Sequence, residues 1–164
     1  LGYSSMTMSR AFDELEAAEL GKSSPLGRER LLRLEEPKRE IWAKAQSFLR
    51  NPVKKRRNIR PMQHKLPGPR AGLSALPRYS MLAEPENTVV ALSQEAWKSL
   101  QQREAVVKVA VHDPDVLNVE IWSYAPTLFA GDVVDPLSLY LSLRGAKDER
   151  VEAAIEHMIE DVKW

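Results

Sequence analysis

The stretch from residue 88 onward most restricts what this chain can fold into. Thr88–Leu92, Ala105–Val111 and Leu117–Tyr124 are short runs rich in Val, Ile, Leu and Ala, of strand length rather than helix length. Strands need a sheet, and helical periods lie between and after these runs. Ser93 is placed to cap a helix through Glu95, Ala96, Trp97 and Leu100. Asp135-Pro136 opens a second through Leu137, Tyr140, Leu141 and Leu143. Asp148 opens a third through Val151, Ala154, Ile155, Met158, Ile159 and Val162, with Gly145 separating the last two. Asp113-Pro114-Asp115 reads as a turn, so the second and third strands are expected to form a hairpin. Val119, Ile121 and Ser123 then share one face, and Asn118, Glu120, Trp122 and Tyr124 the other. The expected class is α+β, with a small mixed sheet covered by helices.

The other end of the chain carries a different signal. Met8, Ala11, Phe12, Leu15 and Ala18 form an apolar stripe at helical spacing, which predicts a short amphipathic helix over 5–20. Ser4 or Ser5 is positioned as its N-cap and Gly21 as its left-handed terminator. Its outer side begins with Ser5, Thr7, Ser9 and Arg10. Short hydroxyls and one arginine on a first turn suit a helix entering a DNA major groove, where bulk blocks approach and the guanidinium fork reaches guanine or phosphate.

The residues Gly2-Tyr3-Ser4, Met6-Thr7, Ser9-Arg10-Ala11, Glu14-Leu15-Glu16 and Leu20 resemble the recognition helix of winged helix-turn-helix transcriptional regulators of the MarR-like kind. The resemblance covers residues 1–20 and, with the next segment as a wing, 1–36. It implies two strands and a wing over 22–36, with Lys22, Arg28 and Arg30 near the DNA backbone. It also implies two further helices ahead of this one, so Leu1 is expected to be an internal residue of a truncated domain. A looser resemblance reaches antitoxins of abortive-infection systems, in which a winged helix precedes a second domain and represses its own operon; Arg70 to Leu76 is similar to these. The expected partition is a partial winged helix over 1–36 and an α+β regulatory or partner-binding domain over 37–164.

The formal charge of +1 conceals a segregation. Residues 1–36 carry −2, residues 37–82 carry +11 with a single acid, and residues 83–164 carry −8. A segment that basic attracts phosphate or meets an acidic surface of the same chain, and both readings stand. Within it, Pro37 begins a helical period through Ile41, Trp42, Ala45, Phe48 and Leu49 that Asn51-Pro52 stops, a helix of about 14 residues. Val53 to Arg60 predicts a short strand with Lys54, Lys55, Arg56 and Arg57 outward, a sequence-blind phosphate contact. Gln63 to Gly72 is loop by its Pro and Gly content. Leu73 to Ala83 is a short helix broken at Pro77. There Arg70, Ser74, Arg78 and Tyr79, with Ser80, concentrate groups suited to an anion or a protein partner.

Catalytic signals are weak. With no cysteine the chain has no disulfide, thiolate metal site or cysteine nucleophile, which fits a cytoplasmic location. No apolar run approaches the roughly 18 residues of a membrane span. His64, His112 and His157 are far apart and begin no ligand or triad pattern, and the chain has neither G-x-x-x-x-G-K nor G-x-G-x-x-G, H-E-x-x-H nor G-x-S-x-G. Asp113 with Asp115, and Asp132 with Asp135, are the carboxylate pairs. The first is loosely similar to a nucleotidyltransferase pair, but the preceding Gly-Ser is absent and Pro114 makes a turn a sufficient reason. The expectation is therefore a regulator without catalytic residues, metal or cofactor, binding double-stranded DNA as a homodimer, with a protein partner such as a cognate toxin. The alternative is a protein-interaction or oligomerisation module with no nucleic-acid role.

Overall fold

A computed structural model describes residues 4–60, 67–103, 106–109, 116–127 and 131–164. The chain is α+β and divides into two compact units, one of residues 1–49 with Trp164 and one of residues 50–163. The division falls between Leu49 and Arg50, so the helix after Pro37 belongs with the first unit and not with the second, where the sequence break at 36/37 puts it.

In the first unit, α1 (Ser5–Ala17) is followed by β1 (Lys22–Leu26), β2 (Glu29–Arg33) and α2 (Lys38–Ala45). Ser4 caps α1, its Oγ accepting from the Thr7 amide at 3.2 Å. The left-handed residue after the helix is Glu19, with φ 56°, and not Gly21. Gly21 is required for another reason: a Cβ there would lie 2.9 Å from the Arg33 carbonyl oxygen. Lys22 to Leu26 is an antiparallel strand paired to β2 from Lys22↔Arg33 to Leu26↔Glu29. It escapes periodicity because almost every residue of it faces solvent, so no apolar alternation is written into it. The turn is only Gly27-Arg28, with Gly27 at φ 62°. Helix α2 is shorter than expected: beyond Ala45 the bonding tightens into a turn, with the Phe48 amide on the Ala45 carbonyl at 2.9 Å.

The second unit is built on β3 (Val53–Ile59), β4 (Val89–Ser93) and β5 (Leu117–Trp122), in the order β3-β5-β4. β5 is central, antiparallel to β3 and parallel to β4, with α3 (Gln94–Arg103) following β4. Ser93 Oγ accepts from the Ala96 amide at 3.1 Å, as expected of a cap. Both sheet faces are covered, so β5 is buried along nearly its whole length. Val119 and Ile121 join Val90, Leu92, Trp97 and Leu100 in one core cluster. Trp122 and Ala91 join the other, with Leu76, Val134, Leu139, Val151, Ile155 and Met158. The latter side is supplied by α4 (Pro136–Leu143) and α5 (Glu149–Glu160), capped by Asp135 and Asp148.

Leu73 to Ala83 is not an α-helix but two 3-10 turns, Gly72–Ser74 and Leu76–Arg78, with Pro77 in the second. Of the expected strand 105–111, the described part contributes one isolated bridge, Lys108 to Ile59. Its remainder and the Asp113-Pro114-Asp115 turn lie outside the described residues. The outer edge of β4 is closed by Pro69 to Ala71: the Ala91 amide donates to the Pro69 carbonyl at 3.0 Å and the Ala71 amide to the Val89 carbonyl at 2.9 Å. Gly68 makes this approach possible, since a Cβ there would fall 2.3 Å from the Ala91 oxygen. Gly68→Ala is expected to destabilise the second unit by about 1–3 kcal/mol through overpacking against backbone. Urea unfolding followed by the Trp97 and Trp122 fluorescence measures it, and a midpoint equal to that of the unaltered chain would remove Gly68 from this role.

Candidate nucleic-acid interface

Helix α1 is an amphipathic helix that buries no residue. Ser5, Met6, Thr7, Met8, Ser9 and Arg10 are all exposed, while Ala11, Phe12, Leu15 and Glu16 are half-buried. Thr7 Oγ1 is engaged at 2.9 Å with the capping hydroxyl of Ser4, whereas Ser5, Ser9 and Arg10 have no side-chain partner among the described residues.

The hairpin is fastened to α1 by one side chain. Arg30 of β2 donates from Nη1 to Asp13 Oδ1, from Nη2 to Glu16 Oε2 and from Nε to Ser23 Oγ, each at 2.6 Å. Its guanidinium carbon lies 5.7 Å from the centre of the Phe12 ring. The other Glu16 oxygen accepts from the Ser23 amide at 2.5 Å, so helix and hairpin share a closed hydrogen-bonded ring. Arg30 therefore bridges within the unit and does not point out as a free phosphate ligand. It also neutralises the two carboxylates that most oppose an anion near α1. Lys22 pairs with Glu35 at 2.9 Å on the surface. Arg28, at the turn, is exposed and unpaired among the described residues.

In the second unit, Lys54, Lys55, Arg56 and Arg57 are all exposed along β3. Arg56 differs from its neighbours. Its Nε and Nη2 both donate to Glu120 Oε1 at 3.1 Å, and Glu120 is buried on central β5. The basic run thus meets one carboxylate of the acidic third, while Lys54 and Lys55 pair with no acid among the described residues. Arg57 bonds only the Arg56 carbonyl, at 2.9 Å.

The groups expected to gather at an anion-binding cluster are spent internally. Ser74 is buried and its Oγ accepts from the Val89 amide at 2.8 Å. Tyr79 donates its hydroxyl to the Val134 carbonyl at 2.9 Å, and burial pushes its pKa up. Arg70 pairs with Glu84, and Ser80 donates to the Leu76 carbonyl at 2.9 Å. Arg78 alone of the set is exposed and unpaired among the described residues. These side chains hold the 3-10 segment in place, a use that composition does not distinguish from ligand binding. Asp135, from the second carboxylate pair, accepts from the Ser138 amide at 2.9 Å as the α4 cap. His157 is exposed, 3.6 Å from Glu160 and 3.7 Å from Asp161. His64, His112, Asp113 and Asp115 lie outside the described residues. The side chains that sequence reasoning passed over are Asn58 and Asn118, half-buried cross-strand partners whose carboxamides have no hydrogen-bond partner among the described residues.

No protein-family model matches the chain, and no curated protein or solved structure is significantly similar to it.

The ring around Arg30 has a pH signature. The Ser23 amide, its hydroxyl and then Arg30 hold the Glu16 carboxyl below its ordinary value of 4.5. A carboxylate with a depressed folded pKa stabilises above its unfolded value and loses that contribution as pH falls through the folded one. The protection of the β1 and β2 amides, with the pH dependence of intrinsic exchange divided out, is therefore expected to be full above pH 4.5 and to fall as acid protonates Glu16. Glu16→Gln should exchange faster at neutral pH and lose this acid step; a step that survives the substitution assigns it to another group.

Proposed function

We propose that the chain is a DNA-binding transcriptional regulator of the winged helix-turn-helix kind, an antitoxin-like repressor whose α1 enters the major groove of duplex DNA. The observation that carries this reading is the exposed, unengaged start of α1, with Ser5, Ser9 and Arg10 outward, followed directly by a hairpin with an exposed Gly27-Arg28 turn. Helix and then hairpin is the order that the resemblance over residues 1–36 implies. The helix itself is rich in acid, with Asp13, Glu14 and Glu16, and Arg30 offsets two of these three without leaving the unit. Arg10 is the residue proposed to read bases, because a guanidinium fork matches two acceptors of guanine. Arg28 meets the backbone from the turn. Lys54, Lys55 and Arg57 form a separate strip in the second unit, where unpaired cations bind phosphate irrespective of sequence.

A second reading is favoured by one observation. The apolar stripe of α1 is only half covered, and Met6, Leu26, Leu34 and Phe48 of the same unit are each more than half exposed. Apolar surface of this kind suits a protein partner or a second copy of the chain.

The two readings separate by salt. Duplex DNA selected from a random pool is expected to be retarded in a mobility-shift assay, with affinity falling steeply as salt rises. Arg10→Ala should reduce preference for the selected sequence, whereas Lys55→Ala should weaken all duplexes alike and lower the salt slope by about 1. Absence of any shift at low salt would sink the DNA reading, and a dimer in sedimentation that persists at high salt would support the second.

A further inference from the structure

A cavity of about 450 Å³ opens on the α4–α5 face of the second unit's sheet, within the range of about 300–1,000 Å³ typical of small-ligand sites. Its floor is polar, and Lys147 and Asp148, the latter paired with Arg150, stand on its α4–α5 side among apolar residues. Two neighbouring cross-strand pairs of β3 and β5, Arg56↔Glu120 and Asn58↔Asn118, both line it. Both oxygens of Glu120 are engaged: Oε1 accepts from Arg56 Nε and Nη2, and Oε2 accepts from Trp122 Nε1, all at 3.1 Å. Its task is to hold Arg56 across the cavity floor, leaving Arg56 Nη1 without a partner among the described residues. The carboxamides of Asn58 and Asn118 are a different matter. Each is half-buried, each presents a donor and an acceptor, and neither has a partner among the described residues. Half-buried carboxamides left open beside each other in a cavity offer their donors and acceptors to a ligand.

We propose that this cavity binds a nucleoside monophosphate. Three features select that class. Side-by-side carboxamides match the alternating donors and acceptors of a base edge, as Asn does with adenine. Leu73 and Val89 on one side, and Leu143 and Val151 on the other, give the apolar walls that a flat ring requires. Lys147, exposed, and Nη1 of Arg56, both without a partner among the described residues, supply cations for the phosphate. A simple carboxylate would leave the carboxamides unmet, and a sugar would find hydrocarbon walls. Gly72, at φ 50°, keeps the floor open: its Cβ would lie 3.2 Å from Val89 Cγ1 and 3.6 Å from Glu120 Oε1. The inference concerns the second unit alone and stands whether or not the first binds DNA.

Calorimetric titration of the full chain with adenosine, guanosine, cytidine and uridine monophosphates tests it, with nitrogen-edited NMR following the side-chain amides of Asn58 and Asn118. At least one monophosphate is expected to bind and to move those amide signals. Asn118→Ala and, separately, Asn58→Ala should weaken binding about tenfold or more. Lys147→Gln, a surface change, should weaken the monophosphate while leaving the parent nucleoside unaffected. Circular dichroism and urea midpoints confirm that each variant is folded. The proposal is overturned if no monophosphate binds at millimolar concentration, or if folded Asn118→Ala and Asn58→Ala bind as the unaltered chain does. A single-stranded oligonucleotide that moves the same amides when no monophosphate does so also overturns it, and assigns the cavity to a polynucleotide.

Discussion

The second unit depends on a buried carboxylate. Glu120 sits at the middle of the central strand, and taking an ion out of water costs several kcal/mol unless every lone pair finds a donor. Three N–H groups offset that cost, leaving one lone pair of Oε2: two from the neighbouring strand and one from the indole two residues along the same strand. Because Arg56 keeps most of its side chain in water, its own desolvation is small and the attraction is not spent on burying a second ion. The arrangement pins β3 to β5 at one register, fixes the Trp122 ring within its core cluster, and leaves a polar floor beneath an otherwise apolar pair of helices.

Two arginines that charge counting assigns to phosphate, Arg30 and Arg56, turn inward as brackets, and the reason is the same in both units. A guanidinium presents several donors in one plane, so a single side chain can bind two acids and a hydroxyl, as Arg30 does, or grip one carboxylate oxygen twice, as Arg56 does. Lys54 and Lys55, just before Arg56 in sequence, lack that geometry and stay in solvent. A run of like charges is therefore chemically heterogeneous once folded.

What was legible in advance was whatever the chain decides locally. Ser4, Ser93, Asp135 and Asp148 cap the helices they precede, because a cap needs only a side-chain oxygen and an amide two or three residues on. The β3 strand and the α+β class were readable from short apolar and charged runs. Long-range pairing was not readable. Arg56 and Glu120 are 64 residues apart, and nothing in either neighbourhood announces the other. Ser74 and Tyr79 looked like free polar groups because their partners, the Val89 amide and the Val134 carbonyl, are backbone, which composition cannot display. Periodicity does not show β1, since a strand exposed on both sides carries no hydrophobic period, and only the resemblance over 1–36 implies it. The unpaired carboxamides of Asn58 and Asn118 were invisible because only strand register sets them side by side.

The wide separation of β3 from β5 also orders events during synthesis. At roughly 5–20 residues per second, the ribosome delivers the partner of Arg56 about 3–13 s after Arg56 itself. Throughout that interval β3 is a strand without a sheet, the condition in which chains stick to one another. Lys54, Lys55, Arg56 and Arg57 make it a poor template, because a second copy of the same nascent segment is repelled by four cations at close range. The positive run thus guards the waiting strand, and when Glu120 arrives it is drawn to the segment that like chains avoid.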